Sequence, residues 1–572
     1  MVGPVKSPEV QITWVGCLPV IKFYTDRLRI VEMVDRILPR AHQSPVSHGE
    51  CVLAILISVL QGDHRMCFVE HKLRDVDMTA LFGRPGIEAN HFNDTRIGLT
   101  LDALFSRTQE IYGSIVCAAI REFGIHPKRF HIDSTTVILR GVYEVLEVLP
   151  SLREGPPNPA RGHSKDHRPD LFQLMFGLVS TDEGIPVMGR FENGNTGDSK
   201  MFRNYMAELA GRLEDLRGLD AIMVGDSKFC TLPIIAQAAE LGFPLVTMMP
   251  DTFARRRQFI QKASQESDLP LLLTTEEGEV YRGKSWKFPT LIEESGKPSR
   301  TVWLRCLAVY SSRLAEEKAK TRARKTVAER KELQGLTTRF LATPFACEAD
   351  ARKVAARDWK AMKPEFHEMG LEIRQEEIDV TPKKRGRKPK NPPMPVRAKV
   401  WLAHITILER PVQNTPFDQD GFFVLVTSIT DGRRTDTQIL QAYKGQQVVE
   451  LNFKWMKGPL ATAPLHLKLP SRIQSLGFVL LLAILFSSLL QRDTRKALKK
   501  RGGKLPNYPG RKSDRPTWQG ILTLFDCIRL TIVTIGAQVH KAIHHLEADQ
   551  IEILTLLGIP KIYETYSNAV YD

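Results

Sequence analysis

The segment from Gln441 to Lys457 constrains the fold most strongly, because it is apolar over most of a helical surface and yet contains a carboxylate. Its sequence, QAYKGQQVVELNFKWMK, predicts one continuous helix that is buried on more than one side. Glu450 lies in the middle of the apolar run. A buried carboxylate without a partner is costly, so Glu450 requires a cation, a metal ion or an edge position that opens on a cleft.

Three further polar residues lie near the same face of this predicted helix. Tyr443, Gln446, Glu450 and Lys457 follow one another at steps of three, four and seven residues, which keeps them on one side of a helix. A phenol, an amide and an ammonium around one acid are suited to contact with phosphate and metal. The alternative is an amphipathic helix in which Glu450 forms an i,i+4 pair with Lys454.

The length and charge of the chain indicate a large basic protein. At 572 residues it is too long for one core, and we expect about three to five structural units. Lysine and arginine outnumber aspartate and glutamate by 80 to 65, which gives a net charge of +15. This balance favours a polyanionic partner, most commonly nucleic acid. The alternative is a basic protein without such a partner.

Cysteine usage and hydropathy bear on the compartment. Eight cysteines are scattered without a CxxC motif, which argues against a zinc site or a disulfide framework and favours a reducing environment. The N-terminus lacks a signal-peptide pattern, and the apolar run 476–490 is short for a membrane span. We therefore expect a cytoplasmic protein that does not contact a membrane, with this run forming a buried helix.

The N-terminal part of the chain has helical periodicity. Residues 1–27 have an irregular or strand-like pattern, and three segments between residues 28 and 123 have apolar residues at i, i+3, i+4 and i+7. We expect a helical domain over 1–124. It is suited to binding DNA, and equally to packing or dimerisation.

Strand patterns begin at residue 129. The sequence RFHIDSTTVIL alternates and is β-branched, and 171–181 and 185–192 are predicted to form a hairpin around Asp182-Glu183-Gly184. With the intervening helices, this order predicts an α/β fold with a mixed sheet over 125–250.

Two aspartates belong to these strands. Asp133 lies inside the first strand, where a carboxylate is unfavourable unless it faces a site. Asp226 directly follows the short apolar strand AIMVG, and the carboxyl end of a buried strand is the usual place for a functional carboxylate.

Residues 251–397 interrupt the α/β pattern and are expected to form an insertion. They contain a predicted helix, 313–335, that is dense in lysine and arginine and suits either a phosphate backbone or a solvated face. The polar tract 383–390 has an Arg385-Gly386-Arg387 core and resembles an AT-hook, an extended arm that enters the minor groove. The alternative is a basic surface linker.

If 251–397 is an insertion, the segments 125–250 and 398–490 form a single sheet. Asp133, Asp226 and Glu450 could then meet at one edge of it. Because three converging carboxylates repel one another, the arrangement makes sense around cations, and ligation by oxygen alone selects Mg²⁺ or Mn²⁺. Two such ions would activate water or a 3′-hydroxyl and stabilise the leaving oxygen of a phosphodiester.

This arrangement resembles the DDE transposases of bacterial insertion sequences, within the cut-and-paste branch that carries a Tyr-x2-Arg-x3-Glu-x6-Lys motif. The chain has Tyr443, Glu450 and Lys457 at those spacings and departs at Gln446, where the family has arginine. The stretches HIDST, GHSKDHRPDLFQ, GNTGDS and VGDSKF also resemble the family. The resemblance covers about residues 28–490.

The resemblance implies an RNase H-like catalytic core that is interrupted by a large insertion. The sequence itself adds helical N- and C-terminal regions, the latter over 491–572, where Trp518 to Leu557 is expected to be a helical region. The resemblance further implies that Asp133, Asp226 and Glu450 bind two Mg²⁺ or Mn²⁺ ions and are catalytic. It also implies DNA contacts at Tyr443, Gln446 and Lys457, and the AT-hook-like core adds Arg385 and Arg387 as expected DNA contacts.

The leading hypothesis is a DNA transposase that binds the inverted-repeat ends of its insertion sequence, cleaves strands and transfers them to target DNA. Pairing of two ends implies at least a homodimer, and the resemblance places the protein at the bacterial nucleoid. The alternatives are an RNase H-like metal nuclease or resolvase that does not join strands, and a non-catalytic DNA-binding relative.

Overall fold

The computed structural model describes most of the chain: residues 9–40, 43–139, 155–162, 168–212, 221–293, 296, 298–380, 394, 396–411, 417–460, 465, 467–536 and 538–566. It divides into two compact units. The first comprises Met1–Pro250, Lys287–Arg305 and Val426–Asp572, and the second comprises Asp251–Trp286 and Cys306–Leu425.

The N-terminal region of the first unit is helical, as predicted, after one short strand. The strand is β1 (Glu9–Trp14), and a helix that the sequence analysis did not expect follows it at Leu18. Side-chain caps fix several helix starts: for example, Ser47 and Glu50 form a capping box, and Asn93 accepts the N–H of Arg96 at 3.0 Å. The helices are α1 (Leu18–Arg27), α2 (Ile30–Ile37), α3 (His48–Leu60), α4 (Val69–Leu73), α5 (Met78–Phe82), α6 (Asp94–Leu104) and α7 (Thr108–Glu122).

The central sheet of the first unit follows. Its strands are β2 (Arg129–Leu139), β3 (Phe172–Thr181), β4 (Pro186–Glu192), β5 (Ile222–Gly225) and β6 (Leu245–Met248), with α8 (Asp198–Arg212) and α9 (Leu232–Leu241) between them. The strand order is β4-β3-β2-β5-β6. The first three strands are antiparallel, whereas β5 and β6 run parallel to β2. This mixed sheet confirms the predicted RNase H-like core, and the hairpin turns at Gly184, whose φ of +81° suits glycine.

The second unit contains most of the predicted insertion. The elements of this region are α10 (Ala254–Ser264), β7 (Leu271–Thr274), β8 (Val280–Ile292), β9 (Arg300–Ser311), α11 (Ser312–Leu341), α12 (Glu348–Met362), β10 (His367–Val380), β11 (Val396–Glu409) and β12 (Phe422–Thr427). Parts of β8, β9 and β12 belong to the first unit, which includes Lys287–Arg305 and resumes at Val426. The strand order is β12-β9-β8-β7, and β10 and β11 form a separate antiparallel ribbon. The predicted boundary at 397/398 falls inside that ribbon, because β11 pairs with β10 rather than joining the central sheet.

The basic helix predicted at 313–335 is confirmed as α11, and it is longer than expected. Its apolar residues face a small core that includes Leu336, Phe340, Ala355, Ala403 and Ile405 from three elements of the second unit. The AT-hook-like tract 383–390 lies outside the described residues.

The chain re-enters the first unit at residue 426 and returns to the sheet edge. The Thr427 hydroxyl donates to the carbonyl of Leu245 at 2.7 Å, and the backbone N–H of Ser428 donates to the same carbonyl at 3.3 Å. The segment predicted as one helix is two: α13 (Asp436–Lys444) and α14 (Gln447–Lys457). The prediction of one continuous helix is therefore wrong, because the chain breaks at Gly445 where it approaches His131.

One long helix forms the core of the first unit. It is α15 (Pro470–Arg501), and it extends the apolar run predicted as a buried helix. It is long and apolar enough to cross a membrane, but 94% of its most apolar stretch is buried inside the protein. Polar contacts fix its start, because Ser475 donates to the carbonyl of Leu101 at 2.6 Å and Arg472 forms a 2.8 Å salt bridge with Asp102.

The C-terminal region contains the expected helices, α16 (Trp518–Thr523) and α17 (Ala548–Leu556), and also strands. The helical region expected from Trp518 to Leu557 is interrupted by two strands between these helices. The strands are β13 (Leu505–Pro506), β14 (Lys512–Ser513), β15 (Arg529–Ile535) and β16 (Gln538–Ile543). β15 pairs with both β1 and β16, so the two ends of the chain share a three-stranded sheet.

Candidate active site

Asp133 and Asp226 follow aligned positions on two neighbouring parallel strands. Ile132 on β2 pairs with Gly225 on β5, and each aspartate is the next residue along. Adjacent strands lie about 4.8 Å apart, and residues side by side in a parallel pair point to the same face. The sheet therefore brings two of the three predicted carboxylates together. Both are partly exposed.

The sequence around Asp226 fixes its backbone tightly. A side chain at Gly225 would come within 2.4 Å of the buried ring of Phe229, so the position requires glycine. Asp226 Oδ1 accepts the N–H of Lys228 at 2.9 Å and caps a short 3₁₀ turn, while the hydroxyl of Thr247 donates to the Asp226 carbonyl at 2.6 Å. The carboxylate thus stands on a turn that is held from both sides.

The break between α13 and α14 lets the chain approach β2 closely. A Cβ at Gly445 would lie only 3.0 Å from the His131 ring. Gln446, the next residue, is 7% exposed: its Nε2 donates to the carbonyl of Ile132 at 3.1 Å, and its Oε1 lies 3.3 Å from His131 Nδ1. Burial lowers the pKa of His131 to about 4, so this imidazole is neutral at pH 7.

Gln446 was expected to contact DNA from the helix face. In the structure both ends of its amide are engaged within the protein, against the strand that carries Asp133. The contact fixes the first turn of α14, which contains Glu450, relative to β2.

A second amide that the sequence analysis missed anchors the middle of α14. Asn452 is buried, and its Nδ2 donates to the hydroxyl of Ser180 and to the carbonyl of Gly184, both at 3.0 Å. A buried asparagine within an otherwise apolar helix was the available signal, because buried amides need partners. Gln446 and Asn452 together tie α14 to β2 and to the β3–β4 hairpin.

Tyr443 connects the third predicted carboxylate to the second. Its hydroxyl lies 3.5 Å from the sulfur of Met248. Burial, helped by the carboxylates of Asp226 and Glu450, raises the pKa of Tyr443 to about 12. Tyr443 thus lies within electrostatic range of both carboxylates.

Glu450 is exposed, which corresponds to the edge position that its sequence context allowed. Within the described part of the chain, the alternative partner Lys454 forms no salt bridge with it. Lys457, the last residue of α14, is half-buried. The face predicted from Tyr443, Glu450 and Lys457 is thus divided between two helices.

A further acid and a lysine lie beside the two aspartates, and the sequence analysis assigned neither a role. Lys228 Nζ lies 2.7 Å from Asp198 Oδ2, and the hydroxyl of Ser134 donates to the other oxygen of Asp198. The pKa of Lys228 is raised: burial opposes the charge, but the hydrogen bond and the charge of Asp198, with the carboxylates of Asp226 and Asp133, outweigh it. The stretch GNTGDS contained Asp198, but nothing in its spacing indicated this contact.

The donor set has the chemistry of a hard-cation site. Among the described residues, no three His, Cys, Asp or Glu side chains are grouped closely enough to hold a metal ion as they stand. However, Asp133, Asp226 and Glu450 supply carboxylate oxygens, which suit Mg²⁺ or Mn²⁺. A protein cation, the Lys228 ammonium, already interacts with two of them. The residues present therefore fit a divalent ion.

The remaining predicted DNA contacts are not located. Arg385 and Arg387 lie outside the described residues, as do residues 163–167 of the GHSKDHRPD stretch. Arg168 and Asp170 of that stretch form an exposed salt bridge at 2.7 Å.

The sheet order and the acids at its edge define an RNase H-like core of the DDE type, and comparison with protein families identifies it. A model of the transposase DDE domain matches residues 127–486, and a domain of unknown function (DUF4277) matches residues 10–117. The chain belongs to the transposase DDE domain family, in which use of a divalent metal is characteristic. No curated protein matches the chain.

Solved structures with a similar fold are transposases in complex with DNA. A piggyBac transposase synaptic complex with hairpin DNA is 12% identical, with 52% of this chain and 63% of that chain covered and a TM-score of 0.25. The Mos1 transposase paired-end complex with the left transposon end is 10% identical, with coverage of 36% and 60% and a TM-score of 0.15. The chain thus spans less than two thirds of these two relatives, and likenesses this remote carry no argument beyond the family match.

Proposed function

We propose that the protein catalyses DNA transposition: it binds the inverted-repeat ends of its own element, cleaves strands in a reaction that needs a divalent metal, and joins the ends to target DNA. The observation that carries the proposal is the alignment of two acids at one sheet edge, within a chain that belongs to the transposase DDE domain family. Asp133 and Asp226 follow the paired residues Ile132 and Gly225 of β2 and β5.

Asp133, Asp226 and Glu450 would hold the metal, as two Mg²⁺ or Mn²⁺ ions in our proposal. Bound there, the ions would supply an activated water or 3′-hydroxyl and would stabilise the charge of the leaving oxygen. Because Glu450 is exposed, its side chain is free to turn towards the two aspartates without an unfolding step.

The chain's own groups would hold the DNA backbone. The Tyr443 phenol stays protonated at neutral pH, because its pKa is raised to about 12, and it can donate a hydrogen bond to a phosphate oxygen. Lys457, one helix away, would add a positive charge. Arg385 and Arg387 remain proposed minor-groove contacts.

Gln446 receives a different role in this proposal from the DNA contact that the motif implies. We assign it to positioning, because its amide bonds Ile132 and His131 and so sets the distance between α14 and β2. It would act through Glu450 and would not touch the substrate.

Assembly and location follow from the activity. Two ends must be held together, so we propose a homodimer on DNA, working on chromosomal DNA in the cytoplasm. The net charge of +15 supports binding to a polyanion.

The proposal is tested with the full chain and DNA that carries the element's ends. In Mg²⁺, D226N and E450Q should abolish strand cleavage while binding the ends as tightly as the wild type does. The matched control is E110Q, which removes an exposed carboxylate of α7 that pairs with Arg107. Cleavage by either site variant at the wild-type rate would refute the assignment.

A second assay separates the transposase from a nuclease on the same fold. Pre-cut ends with a free 3′-hydroxyl are supplied together with target DNA. Joined products are expected. Cleavage without any joining would favour the nuclease, and end binding without either reaction would favour a non-catalytic DNA-binding protein.

A further inference from the structure

The helix α11 of the second unit contains a basic stretch that its own acids do not neutralise. Between residues 318 and 331, the sequence KAKTRARKTVAERK has seven lysines and arginines and a single acid, Glu329. Two of these cations, Lys320 and Arg322, pair with acids outside the stretch at 2.6 and 3.0 Å. As far as the structure describes the chain, no salt bridge is formed by Lys318, Arg324, Lys325, Arg330 and Lys331.

The contacts of α11 show which side of the helix faces the protein. Arg322 donates to both carboxylate oxygens of Asp418 at 3.0 Å. Glu329 accepts the backbone N–H of Phe366 at 3.0 Å, and Leu336 is buried in the small core of the unit. Arg322, Glu329 and Leu336 follow one another at steps of seven residues, nearly two full turns, so they lie on one side of the helix. The single acid of the basic stretch is therefore turned inward.

Arg324 and Lys331 lie on the opposite side of the helix. Each follows an inward-facing residue, Arg322 or Glu329, by two positions, which is about 200° around the helix axis. Both side chains are exposed, and Val327 between them is 69% exposed. We call Arg324 and Lys331 the outer basic face of α11.

The spacing and charge of the outer basic face fit a polyanion. Its two cations are seven residues apart, and over the corresponding length of about 10.5 Å a DNA duplex presents about six phosphate charges. Because the two side chains have no acidic partner in the described protein, binding to phosphate does not require them to give up a salt bridge. Contact with a polyanion also releases condensed counterions, which favours association.

We propose that the outer basic face of α11 binds the phosphate backbone of double-stranded DNA without reading its sequence. The inference deepens the proposed function and rests on it for the identity of the polyanion. It adds a DNA contact in the second unit to those proposed at Tyr443 and Lys457. The face raises the affinity for any duplex and leaves the preference for the element's ends unchanged, because phosphates are the same in every sequence.

The test is binding of the full chain to a random-sequence duplex at several salt concentrations, followed by fluorescence anisotropy. R324Q/K331Q should lower the slope of log affinity against log salt by about 1.8, because each lost phosphate contact removes about 0.9. At about 0.1 M salt, the same slope corresponds to binding that is about 10- to 60-fold weaker. DNA that carries the element's ends should lose affinity by the same factor.

The matched control is R352Q/R374Q. It removes the same charge from two exposed arginines of the second unit, each of which already pairs with a glutamate, at 2.9 and 2.7 Å. This variant should bind both duplexes as the wild type does.

A second measurement uses the wild-type chain and needs no variant to fold. Acylation of lysine amines, read by mass spectrometry, should show Lys331 reactive in the free protein and protected when the random-sequence duplex is bound. Lys512, whose side chain is 54% exposed in the C-terminal region, should react equally in both conditions.

The outcomes separate this inference from the proposed function. Unchanged affinity and salt slope in R324Q/K331Q, or unchanged acylation of Lys331 when DNA binds, would overturn the inference and leave α11 with a solvated face. A loss confined to end DNA would overturn it as well, because it would mean that the face reads bases. The proposed function survives all of these results, since strand cleavage by D226N and E450Q decides it. If the wild type binds no duplex at all, the proposed function fails together with the inference.

Discussion

Replacing Gln446 with alanine tests how the site is assembled. The change removes two hydrogen bonds, from Nε2 to the carbonyl of Ile132 and from His131 Nδ1 to Oε1, in a position that is 7% exposed. Leaving buried groups unpaired costs about 1–3 kcal/mol. Among the residues that the structure describes, the Nε2 atom of His131 has no hydrogen-bond partner, so the ring does not regain the lost bond there.

The lost free energy should weaken the packing of α14 against β2, so that α14 detaches from β2 more often. A cost of about 1–3 kcal/mol changes an equilibrium by roughly 5- to 140-fold. Amide hydrogen exchange over residues 443–458 should therefore accelerate by about that factor, and strand cleavage should slow because Glu450 is less often in place. End binding should not change, since Gln446 faces the protein interior.

The adjacent residue provides the control. Gln447 is exposed, so Q447A removes the same side chain one position along, and it should alter neither exchange nor cleavage. If Q446A exchanges and cleaves as the wild type does but binds the ends more weakly, the positioning role is wrong and Gln446 contacts DNA.

Three further predictions concern the first unit. L482A removes a fully buried side chain of α15 and should lower the free energy of unfolding by about 2–5 kcal/mol in urea denaturation, whereas the half-exposed Leu469 tolerates alanine with little loss. R492M should cost about 1–3 kcal/mol, because the arginine side chain is 6% exposed and the partly buried carboxylate of Asp493 loses its charged partner and keeps the hydroxyl of Tyr24 at 3.3 Å. Burial, helped by the charge of Arg96, lowers the pKa of His48 in the folded protein. The contribution of the neutral imidazole to the free energy of unfolding is therefore present above about pH 6.5 and is lost as the pH falls through the folded pKa. In H48Q the free energy of unfolding should depend less on pH between pH 7 and 5.

Contradictory results would be specific in each case. Equal loss from L482A and L469A would mean that α15 is not the core helix. An unchanged free energy of unfolding in R492M would mean that the carboxylates find other partners. Identical pH profiles for H48Q and the wild type would mean that His48 titrates normally in the folded protein.

The central sheet was predictable because its signals are local. Alternating apolar residues predict the strand β2, and the turn at Gly184 predicts the β3–β4 hairpin. An apolar run that ends at Asp226 predicts β5. Each signal lies within about ten residues, and each element formed as expected.

The break at Gly445 could not be predicted in this way. The residues on both sides favour helix, and the reason for the break is the close approach of His131, more than 300 residues away in the chain. From the sequence alone, which does not show that contact, Gln446 is predicted to be a surface residue of the helix. The contact between Asp198 and Lys228 was also unpredictable from local sequence, because it depends on how α8 packs beside the turn after β5.

The C-terminal strands were missed although a local signal existed. The run from Leu530 to Ile535 is β-branched and is followed by Gly536 with φ of +62°, which is typical of a turn between strands. The partner that gives β15 its place is β1, at the other end of the chain. A short window of sequence cannot predict a pairing between strands that are so far apart in the chain.

The central claim, that Asp133, Asp226 and Glu450 close around one cation site, is tested most directly by replacing Mg²⁺ with Fe²⁺. Bound Fe²⁺ with ascorbate and peroxide generates radicals that cut the nearest backbone, and mass spectrometry locates the cuts. We expect cuts near all three residues, suppressed by excess Mg²⁺ and absent in D226N. Cuts near the two aspartates but never near Glu450, with and without end DNA, would contradict the account.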